Sequence, residues 1–495
     1  MMIQGTHSDS GKSILTAALC RIFAEDGFRT APFKSQNMAL NAYVTEDGKE
    51  IGRSQGMQAD AARIRADVRM NPILLKPAGN QRSQVVVRGT ALSTMEAAAY
   101  REDFYEKGKQ VIQDAYESLA SDVDRIVLEG AGSPVEVNLM ERELVNMSTA
   151  DMADAPVLLV ADIDRGGVFA SIVGTLELLP PEHRQRVKGL IINKFRGDPA
   201  LFADGVSWLE SYTGIPVLGV LPFVKDLYLE EEDALGLASY ERRVEGIDAA
   251  ILHYPWISNY HDLDPFKAEP DVQIRFVQRP EELGEPDLII LPGSKSTIED
   301  LSFLHERGLV EALKKVPAST RMIGICGGYQ MLGNTVRDPQ MLESSRKERE
   351  GIGFFSTMDT VMLPEKQTIR TTAAAAAHPG IRWEGYEIRT GASTEEEKPW
   401  LCREDGTVIG SVRGRVFGTY LHDVFHQDEY RHHLLEDIRQ EKGLPAQPRF
   451  SYASIREASI QHLADTTREY LDMAAIETLM TDGGGNNEKN DTTVE

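Results

Sequence analysis

The first half of the chain alternates short apolar runs with longer amphipathic stretches. Apolar runs of strand length occur at Arg125–Leu128, Pro156–Ala161, Val187–Asn193 and Pro216–Leu221. Between them lie helical patterns, and in residues 101–120 apolar side chains recur at helical spacing, at Phe104, Val111, Ala115 and Leu119. Strands that alternate with helices predict a mostly parallel, doubly wound α/β sheet.

A second α/β series begins near residue 247. Its strand candidates are Asp248–His253, Val272–Val277, Asp287–Leu291, Met322–Cys326, Thr407–Val412 and Val416–Leu421. The polar stretch Arg337–Glu350 predicts a loop, and the acidic stretch Asp226–Asp233 predicts a surface connector. We therefore expect two α/β domains, 1–235 and 247–440, a helical extension over 441–480, and a tail, 481–495, too polar to fold.

Composition and charge narrow the class of protein. A chain of 495 residues is longer than one core usually organises. Its formal net charge of −24 argues against nucleic acid and membrane partners, since both would repel it. Three widely spaced cysteines, Cys20, Cys326 and Cys402, form neither a disulfide framework nor a zinc spacing, so a reducing, cytoplasmic location is expected. Neither a signal peptide nor an apolar run of the ~20 residues of a membrane helix is evident.

A glycine-rich loop stands between the first strand and the first helix. Backbone N–H groups of such a turn bind phosphate oxygens, a following lysine reaches the terminal phosphates, and a following serine ligates Mg²⁺. The sequence therefore predicts an ATP site at Gly5, Thr6, Ser10, Gly11, Lys12 and Ser13. Five residues separate the two glycines, one more than in the strict Walker pattern, and this longer loop resembles that of dethiobiotin synthetase.

Three later strand ends carry polar residues. Ligands of doubly wound sheets lie at the carboxyl ends of strands, so Glu129 is predicted to bind Mg²⁺ together with Ser13. Asp162 and Asp164 follow the next strand and are candidates for orienting substrate or metal, with a helix-capping role as an equal alternative. Asn193 ends a further strand, where related P-loop enzymes contact the nucleotide base.

The segment after the second strand is rich in amide side chains. It contains Lys34, Gln36, Asn37 and Asn41. Amides both donate and accept hydrogen bonds, so they suit a substrate that carries carboxylates and amides, and Lys34 would neutralise one carboxylate. A polar turn after a strand is the alternative interpretation.

In the second half, an apolar strand runs into Cys326 between small residues. Such neighbours permit the sharp turn of a nucleophile elbow. The N–H groups of Gly327 and Gly293 are expected to form an oxyanion hole. A thiol of ordinary pKa, about 8.5, needs a base to become a thiolate. His422, which follows a late strand, is the predicted base.

These residues resemble a class I glutamine amidotransferase domain of the triad type. The resemblance implies that Cys326 attacks the side-chain amide of glutamine, forms a thioester and frees ammonia, and that Gln330 helps to hold the glutamine. Members of that family carry a glutamate two residues after the histidine, whereas this chain carries Val424. Only Cys326 and His422 are therefore assigned, and the third member of the site stays open.

A P-loop ligase joined to a glutaminase resembles the cobyric acid and cobyrinate diamide synthases of cobalamin biosynthesis. The segments Phe33–Asn41, Met70–Pro77, Leu128–Pro134 and Ala161–Phe169 resemble cobyric acid synthases in particular, and the likeness covers nearly the whole chain. It implies ATP- and glutamine-dependent amidation of carboxylates b, d, e and g of adenosylcobyrinic acid a,c-diamide through acyl phosphates. The corrinoid would then be a substrate, with its cobalt bound by no protein ligand.

Three other functions stay open at this point. A cobyrinate a,c-diamide synthase would perform the same chemistry on two other carboxylates. A ligase acting on an unrelated substrate, such as a cell-wall lipid, would leave the substrate segments unexplained. A P-loop regulatory or partitioning ATPase with a non-catalytic amidotransferase-like domain is disfavoured because Cys326 and His422 are both present.

Overall fold

The fold is described from a computed structural model, which covers residues 1–77, 82–96, 100, 104–230, 245–394 and 397–482. The predicted boundary near 235–247 lies largely outside these residues, and so does the predicted tail from 483 onward. Residues 481 and 482 of that predicted tail end a helix, Met473–Asp482. No helix in the described part of the chain is long and apolar enough to cross a membrane.

The strands are numbered in chain order. They are Met2–Gly5 (β1), Thr30–Phe33 (β2), Gln36–Met38 (β3), Ala42–Val44 (β4), Glu50–Gly52 (β5), Ile73–Pro77 (β6), Arg82–Val87 (β7), Thr90–Glu96 (β8), Arg125–Glu129 (β9), Val157–Asp162 (β10), Val187–Phe195 (β11), Val217–Pro222 (β12), Ile247–Leu252 (β13), Ile257–Ser258 (β14), Val272–Val277 (β15), Leu288–Leu291 (β16), Gly293–Ser294 (β17), Arg321–Ile325 (β18), Thr335–Arg337 (β19), Glu348–Glu350 (β20), Asp359–Ala375 (β21), His378–Ser393 (β22), Lys398–Arg403 (β23), Val408–Arg413 (β24) and Val416–Thr419 (β25).

The helices are given by their bounds. They are Lys12–Glu25, Arg53–Ala61, Tyr105–Ala120, Met147–Met152, Val168–Leu178, Pro181–Arg186, Ala203–Thr213, Asp264–Lys267, Pro280–Leu283, Thr297–Glu306, Leu309–Leu313, Gly327–Met331, Asp428–Lys442, Tyr452–Tyr470 and Met473–Asp482.

The N-terminal part contains a six-stranded parallel sheet in the order β12–β11–β10–β1–β9–β2. Side chains alternate between its two faces, so Leu158 and Val160 enter one apolar cluster while Val157 and Leu159 enter another. Both faces are therefore covered, as predicted for a doubly wound sheet. The carboxyl ends of β1, β9, β10 and β11 meet at one edge, where the phosphate loop begins.

A second, four-stranded sheet in this part has the order β3–β6–β7–β8. Its first pair is parallel and the others are antiparallel. Sequence periodicity did not predict this sheet. The four-stranded sheet contains part of the amide-rich segment and lies apart from the main sheet. The side chains of that segment therefore point toward different parts of the molecule.

The C-terminal sheet begins as a parallel series, β15–β13–β16–β18–β25, and continues as β24, β23, β21, β19 and β20. The strand that leads to Cys326, β18, lies between β16 and β25. The predicted loop over Arg337–Glu350 is largely irregular, with β19 and β20 pairing at its two ends.

The long hairpin β21–β22 joins the two halves of the molecule. Arg370 Nε on β21 donates to the carbonyl of Val44 on β4, at 2.8 Å. Tyr386 and Ile388 on β22 pack against Ala42 and Val44 in one small apolar cluster. The hairpin therefore holds the C-terminal sheet against the N-terminal part.

The end of the chain returns to the N-terminal part. Ala464 and Ile476, from the last two helices, share an apolar cluster with Leu15 and Leu19 of the first helix. Beside them, the guanidinium of the buried Arg21 pairs with Glu457 at 2.6 Å. The predicted helical extension is thus a structural layer on the phosphate-loop side.

Candidate active sites

The phosphate loop is shaped by a close approach between Gly11 and β11. Gly11 has φ +100°, and a Cβ on it would lie 2.0 Å from Asn193 Nδ2. The same amide nitrogen donates to the carbonyl of Ser10 at 2.9 Å. Glycine is therefore required at position 11. Asn193, the residue predicted to contact the nucleotide base, holds the phosphate loop in this structure.

Two buried hydroxyls and one lysine form the inside of the loop. The Oγ atoms of Thr6 and Ser10 are buried and have no hydrogen-bond partner among the described residues. Lys12 is 6% exposed, and its Nζ donates to the carbonyls of His7 and Gly132 at 3.0 and 3.1 Å. Unsatisfied buried donors next to an ammonium fit phosphate oxygens, which accept hydrogen bonds and carry negative charge.

Glu129, at the end of β9, is the centre of a buried polar cluster. Its carboxylate accepts from Ser13 Oγ at 2.7 Å, from Lys34 Nζ at 3.0 Å and from Gln58 Nε2 at 2.6 Å. Carboxylate and hydroxyl oxygens are the ligands that Mg²⁺ prefers, so Ser13 and Glu129 together fit that ion. Lys34 is paired with this carboxylate, which leaves its role with a substrate carboxylate as a proposal.

Gln58 and Gln55 were missed by the sequence reasoning. They lie three residues apart on the helix Arg53–Ala61, and both are fully buried. Gln55 Oε1 accepts from Asn37 Nδ2 at 3.0 Å, and its Nε2 lies 3.5 Å from Glu129. The available signal was a second amide pair at helical spacing shortly after the amide-rich segment.

The other predicted substrate residues are dispersed. Asn37 and Asn41 are buried, at 3% and 1% exposure, whereas Gln36 accepts a hydrogen bond from Tyr100 on another side of the segment. Asp162 accepts from Lys194 Nζ at 2.9 Å, and Asp164 pairs with Arg196 at 2.5 Å. A hydrogen bond from Arg196 holds the pKa of Asp164 below its usual value. The two aspartates are thus paired with neighbouring cations, and their role in substrate binding is left as a proposal.

A small apolar cavity adjoins the phosphate loop. It has a volume of about 130 Å³ and is lined by Gly11, Asn193, Pro222, Phe223 and Leu463, among others. Its position beside the loop and its apolar lining suit the ring of a nucleotide base.

Cys326 occupies the sharp turn between β18 and the helix Gly327–Met331. Its backbone angles, φ +51° and ψ −106°, are unusual for a residue with a side chain and are typical of a nucleophile elbow. A Cβ on Gly328 would lie 2.0 Å from the carbonyl of Leu291, and one on Gly327 would lie 2.8 Å from the backbone N of Ser294. The turn therefore lies directly against the Gly293–Ser294 strand, which brings the two predicted oxyanion segments together.

His422 is fully buried and is held by an acid that the sequence did not reveal. Its Nδ1 lies 2.8 Å from Asp262 Oδ2, while Asp262 Oδ1 accepts from the backbone N of Asp423 at 2.6 Å. Asp262 thus gives His422 the acidic partner that Val424 cannot supply. Val424 itself is buried in the apolar core. The available signal was the polar run Ser258–Asp264, which follows soon after β13 in the chain.

The charge state of His422 follows from its neighbours. Burial disfavours the imidazolium, but attraction to Asp262 and contact with Cys326 outweigh burial and raise the pKa of His422 to about 10. Its Nε2 is buried and makes no hydrogen bond among the described residues. The Sγ of Cys326 donates to the carbonyl of Ile388 at 3.2 Å, and the imidazolium of His422 can give a proton to a leaving amine.

The cavity beside Cys326 includes residues from both halves of the chain. It is small, about 40 Å³, and its lining includes Gln330, Lys295, Leu40 and Lys76. Gln330 Oε1 accepts from Thr297 Oγ1 at 3.0 Å, which fixes its amide at the rim. Because Leu40 and Lys76 belong to the N-terminal part, that part closes the pocket of the cysteine.

Known proteins share both halves of this architecture. Residues 1–236 match the CobQ/CobB/MinD/ParA nucleotide binding domain, and residues 248–430 match the CobB/CobQ-like glutamine amidotransferase domain. The chain is 49% identical to the cobyric acid synthase of Geobacillus sp. (strain WCH70), with 97% of each chain covered. It is 48% identical to that of Geobacillus thermodenitrificans (strain NG80-2) and 46% identical to that of Klebsiella pneumoniae (strain 342), with 97% of this chain and 98% of each relative covered.

The chain belongs to the cobyric acid synthase family. Membership confirms the predicted α/β fold with a P-loop nucleotide-binding domain and an amidotransferase domain. It also confirms the predicted class of enzyme, a carbon–nitrogen ligase with a glutamine amidotransferase domain that acts in cobalamin biosynthesis. Of the two domains of this family, the nucleotide-binding domain contains the Glu129 cluster and the amidotransferase domain contains Cys326.

Proposed function

We propose that this enzyme amidates carboxylates b, d, e and g of adenosylcobyrinic acid a,c-diamide, using one ATP and one glutamine for each. The observation that carries the proposal is the presence, in one chain of this family, of a Cys326–His422–Asp262 site and a phosphate loop whose Ser13 contacts Glu129. Residues 1–235 would form the ligase and 247–440 the glutaminase, while the helices after 450 support the ligase side.

Activation of the carboxylate is assigned to the phosphate loop. A carboxylate is a poor electrophile, because oxide is a poor leaving group. Attack of a carboxylate oxygen on the γ-phosphorus of ATP gives an acyl phosphate and ADP. Lys12, the loop N–H groups and the Thr6 and Ser10 hydroxyls would hold the phosphate oxygens, and Lys34 would orient the carboxylate. Mg²⁺, bound by Ser13 and Glu129, would supply further neutralisation of phosphate charge.

Ammonia release is assigned to Cys326. Its thiolate attacks the side-chain carbonyl of glutamine, and the N–H groups near Gly293 and Gly327 would stabilise the oxyanion. The imidazolium of His422 gives its proton to the departing nitrogen, so that ammonia leaves and a thioester forms. Water then hydrolyses the thioester, which returns the thiol and releases glutamate.

Transfer of ammonia is favoured by the buried amides between the two sites. Leu40 and Lys76 touch the Cys326 cavity, while Asn37 and Gln55 form a hydrogen-bonded link that ends at Glu129. Neutral ammonia in this buried region stays unprotonated and nucleophilic, so displacement of phosphate from the acyl phosphate gives the amide.

The test is the variant Cys326→Ala. It should lose glutamine-dependent amidation by at least about 10³-fold, as removal of a catalytic nucleophile does elsewhere, and it should keep ammonia-dependent amidation. Cys402→Ala, which alters a thiol on β23, is the matched control and should keep both activities. Loss of both activities in a folded Cys326→Ala protein would contradict the division of labour.

Product counting separates this function from its nearest alternative. With adenosylcobyrinic acid a,c-diamide as substrate, we expect four glutamates and four phosphates released for each corrinoid consumed. A cobyrinate a,c-diamide synthase would instead consume two glutamines on a corrinoid that lacks the a and c amides. Mass spectrometry of the corrinoid product measures the number of amides directly.

A further inference from the structure

An apolar cavity lies on the N-terminal part, and its lining includes Gln36, a predicted substrate residue. Its volume is about 280 Å³. Leu75 and Val85 form its floor and Met38 lies beside them at its mouth, since Met38 is in register with Leu75 and Leu75 with Val85 across β3, β6 and β7. Leu139 and Tyr105 line it from other segments.

The mouth of this cavity exposes apolar side chains. Met38 is 56% exposed and Leu139 is 40% exposed, and Val137, two residues before Leu139, is 66% exposed. Large apolar side chains grouped around a cavity are typical of a surface that binds an apolar partner.

The cavity is connected to the activation site through two adjacent residues, Lys34 and Ser35. Ser35 Oγ donates at 2.6 Å to the carbonyl of Leu144, which lines the cavity. The residue before Ser35 is Lys34, whose Nζ contacts Glu129 at 3.0 Å. The wall of the cavity is therefore linked to the carboxylate-activating cluster through consecutive residues of the chain.

The charges at the cavity suit a ligand with carboxylates. Arg142 and Glu143 both line it, but the Glu143 carboxylate accepts from the backbone N–H groups of Val145, Asn146 and Ser148 at 2.8, 2.6 and 2.5 Å. Those hydrogen bonds commit the acid to its own loop. The Glu143 carboxylate keeps its charge, but it can only accept hydrogen bonds, whereas the guanidinium of Arg142 carries five N–H groups and can donate to a ligand carboxylate.

We propose that this surface, consisting of Met38, Leu75, Val85, Leu139 and Arg142, holds the face of the corrin ring. The inference rests on the proposed function and adds the location of the macrocycle. A single activation site must receive four peripheral carboxylates in turn, so the ring must bind in several orientations. Directional hydrogen bonds suited to one orientation would oppose the others, whereas apolar contact is non-directional and tolerates each.

The test is the double variant Met38→Ser/Leu139→Ser, with Leu178→Ser as control. Leu178 is 55% exposed at the end of the helix Val168–Leu178 and does not line the cavity. Equilibrium dialysis against adenosylcobyrinic acid a,c-diamide, read by corrin absorbance, should give a Kd about tenfold higher for the double variant, equivalent to about 1.4 kcal/mol. The control should bind as the wild type does.

Further readouts separate the outcomes. The rates of all four amidation steps should fall by a similar factor in the double variant. Its ATP affinity and thermal midpoint should stay unchanged. The single variant Leu139→Met should bind the corrinoid more tightly than Leu139→Ser does. An unchanged corrinoid Kd in a double variant that is folded overturns the inference and leaves the proposed function intact. The same holds if the double variant loses only self-association in sedimentation, because a second copy then occupies the surface. Absence of corrinoid binding and amidation in the wild type overturns both.

Discussion

Asp262 determines whether His422 can carry a proton at neutral pH. His422 is fully buried, and burial alone would lower its pKa, yet the carboxylate at 2.8 Å and the nearby Cys326 raise that pKa to about 10. In Asp262→Asn, His422 Nδ1 keeps a possible hydrogen-bond partner, but that partner no longer carries a negative charge. We expect glutaminase kcat to fall by about 10²–10⁴-fold, the scale seen when the acid of a triad becomes an amide.

The control for that variant is Asp264→Asn. Asp264 belongs to the same segment and pairs with Lys267 at 3.2 Å rather than with His422. It should retain glutaminase activity, and ammonia-dependent amidation should be unchanged in both variants. If Asp262→Asn hydrolysed glutamine at the wild-type rate, Asp262 would have no part in catalysis.

The pH profile of glutamine hydrolysis tests the same residue in another way. Because the pKa of His422 lies above the usual ~6.5, the imidazolium persists through neutral pH and is lost as the pH rises through about 10. The alkaline limb of kcat/KM for glutamine should therefore lie near pH 10, and in Asp262→Asn any residual activity should decline at a lower pH. An alkaline limb near pH 7 in the wild type would contradict the imidazolium assignment.

At the scale of elements, the hairpin β21–β22 is held to the N-terminal part by a buried charge cluster. Glu50 on β5 is almost fully buried and pairs with Lys76 on β6 and Lys366 on β21. Burial opposes ionisation of Glu50, but the two lysines outweigh it and hold its pKa below the usual value. Burial also lowers the pKa of Lys76 to about 7, with Lys366 adding to that effect against the attraction of Glu50.

Glu50→Gln should therefore destabilise the joint between the two halves. It removes the carboxylate that Lys76 and Lys366 share, and breaking a buried pair in this way costs about 3–5 kcal/mol at most, since Lys76 can lose its proton. Calorimetric unfolding should show the loss, and glutamine-dependent amidation should fall more than ammonia-dependent amidation. Glu46→Gln removes an exposed partner of Arg65 and should cost at most about 1 kcal/mol. Equal unfolding free energies for the two variants would exclude the cluster as the joint.

The elements that could be predicted are those whose signal is local. The phosphate loop and the Cys326 turn each join a strand to a helix within about ten residues, so composition and spacing reveal them. The hairpin β21–β22 was not predicted, because its long antiparallel pairing leaves no marker in either strand. Asp262 was missed for a similar reason, since it lies 160 residues from His422 in the chain.

At the scale of the whole molecule, the helix Arg53–Ala61 connects the two sites. At one end, Arg53 pairs with Glu230 at 3.0 Å and attracts Asp423, whose backbone N–H donates to Asp262. Farther along, Gln58 Nε2 donates to Glu129 at 2.6 Å. A change at the phosphate site that moves this helix would therefore change the electrostatic surroundings of His422 and Asp262.

Arg53→Gln should uncouple glutamine hydrolysis from amidation for that reason. In the wild type we expect one glutamate released for each amide formed, since ammonia is consumed where it arrives. The variant removes the charge that links the helix to Asp423, so glutamate should be released in excess while both half-reactions persist. Arg63→Gln is the matched control, because Arg63 is 58% exposed and its nearest acid, Glu25, lies 3.7 Å away. A ratio that stays at one in Arg53→Gln would show that the two sites communicate by another route, and the buried amides Asn37 and Gln55 would then be the next residues to vary.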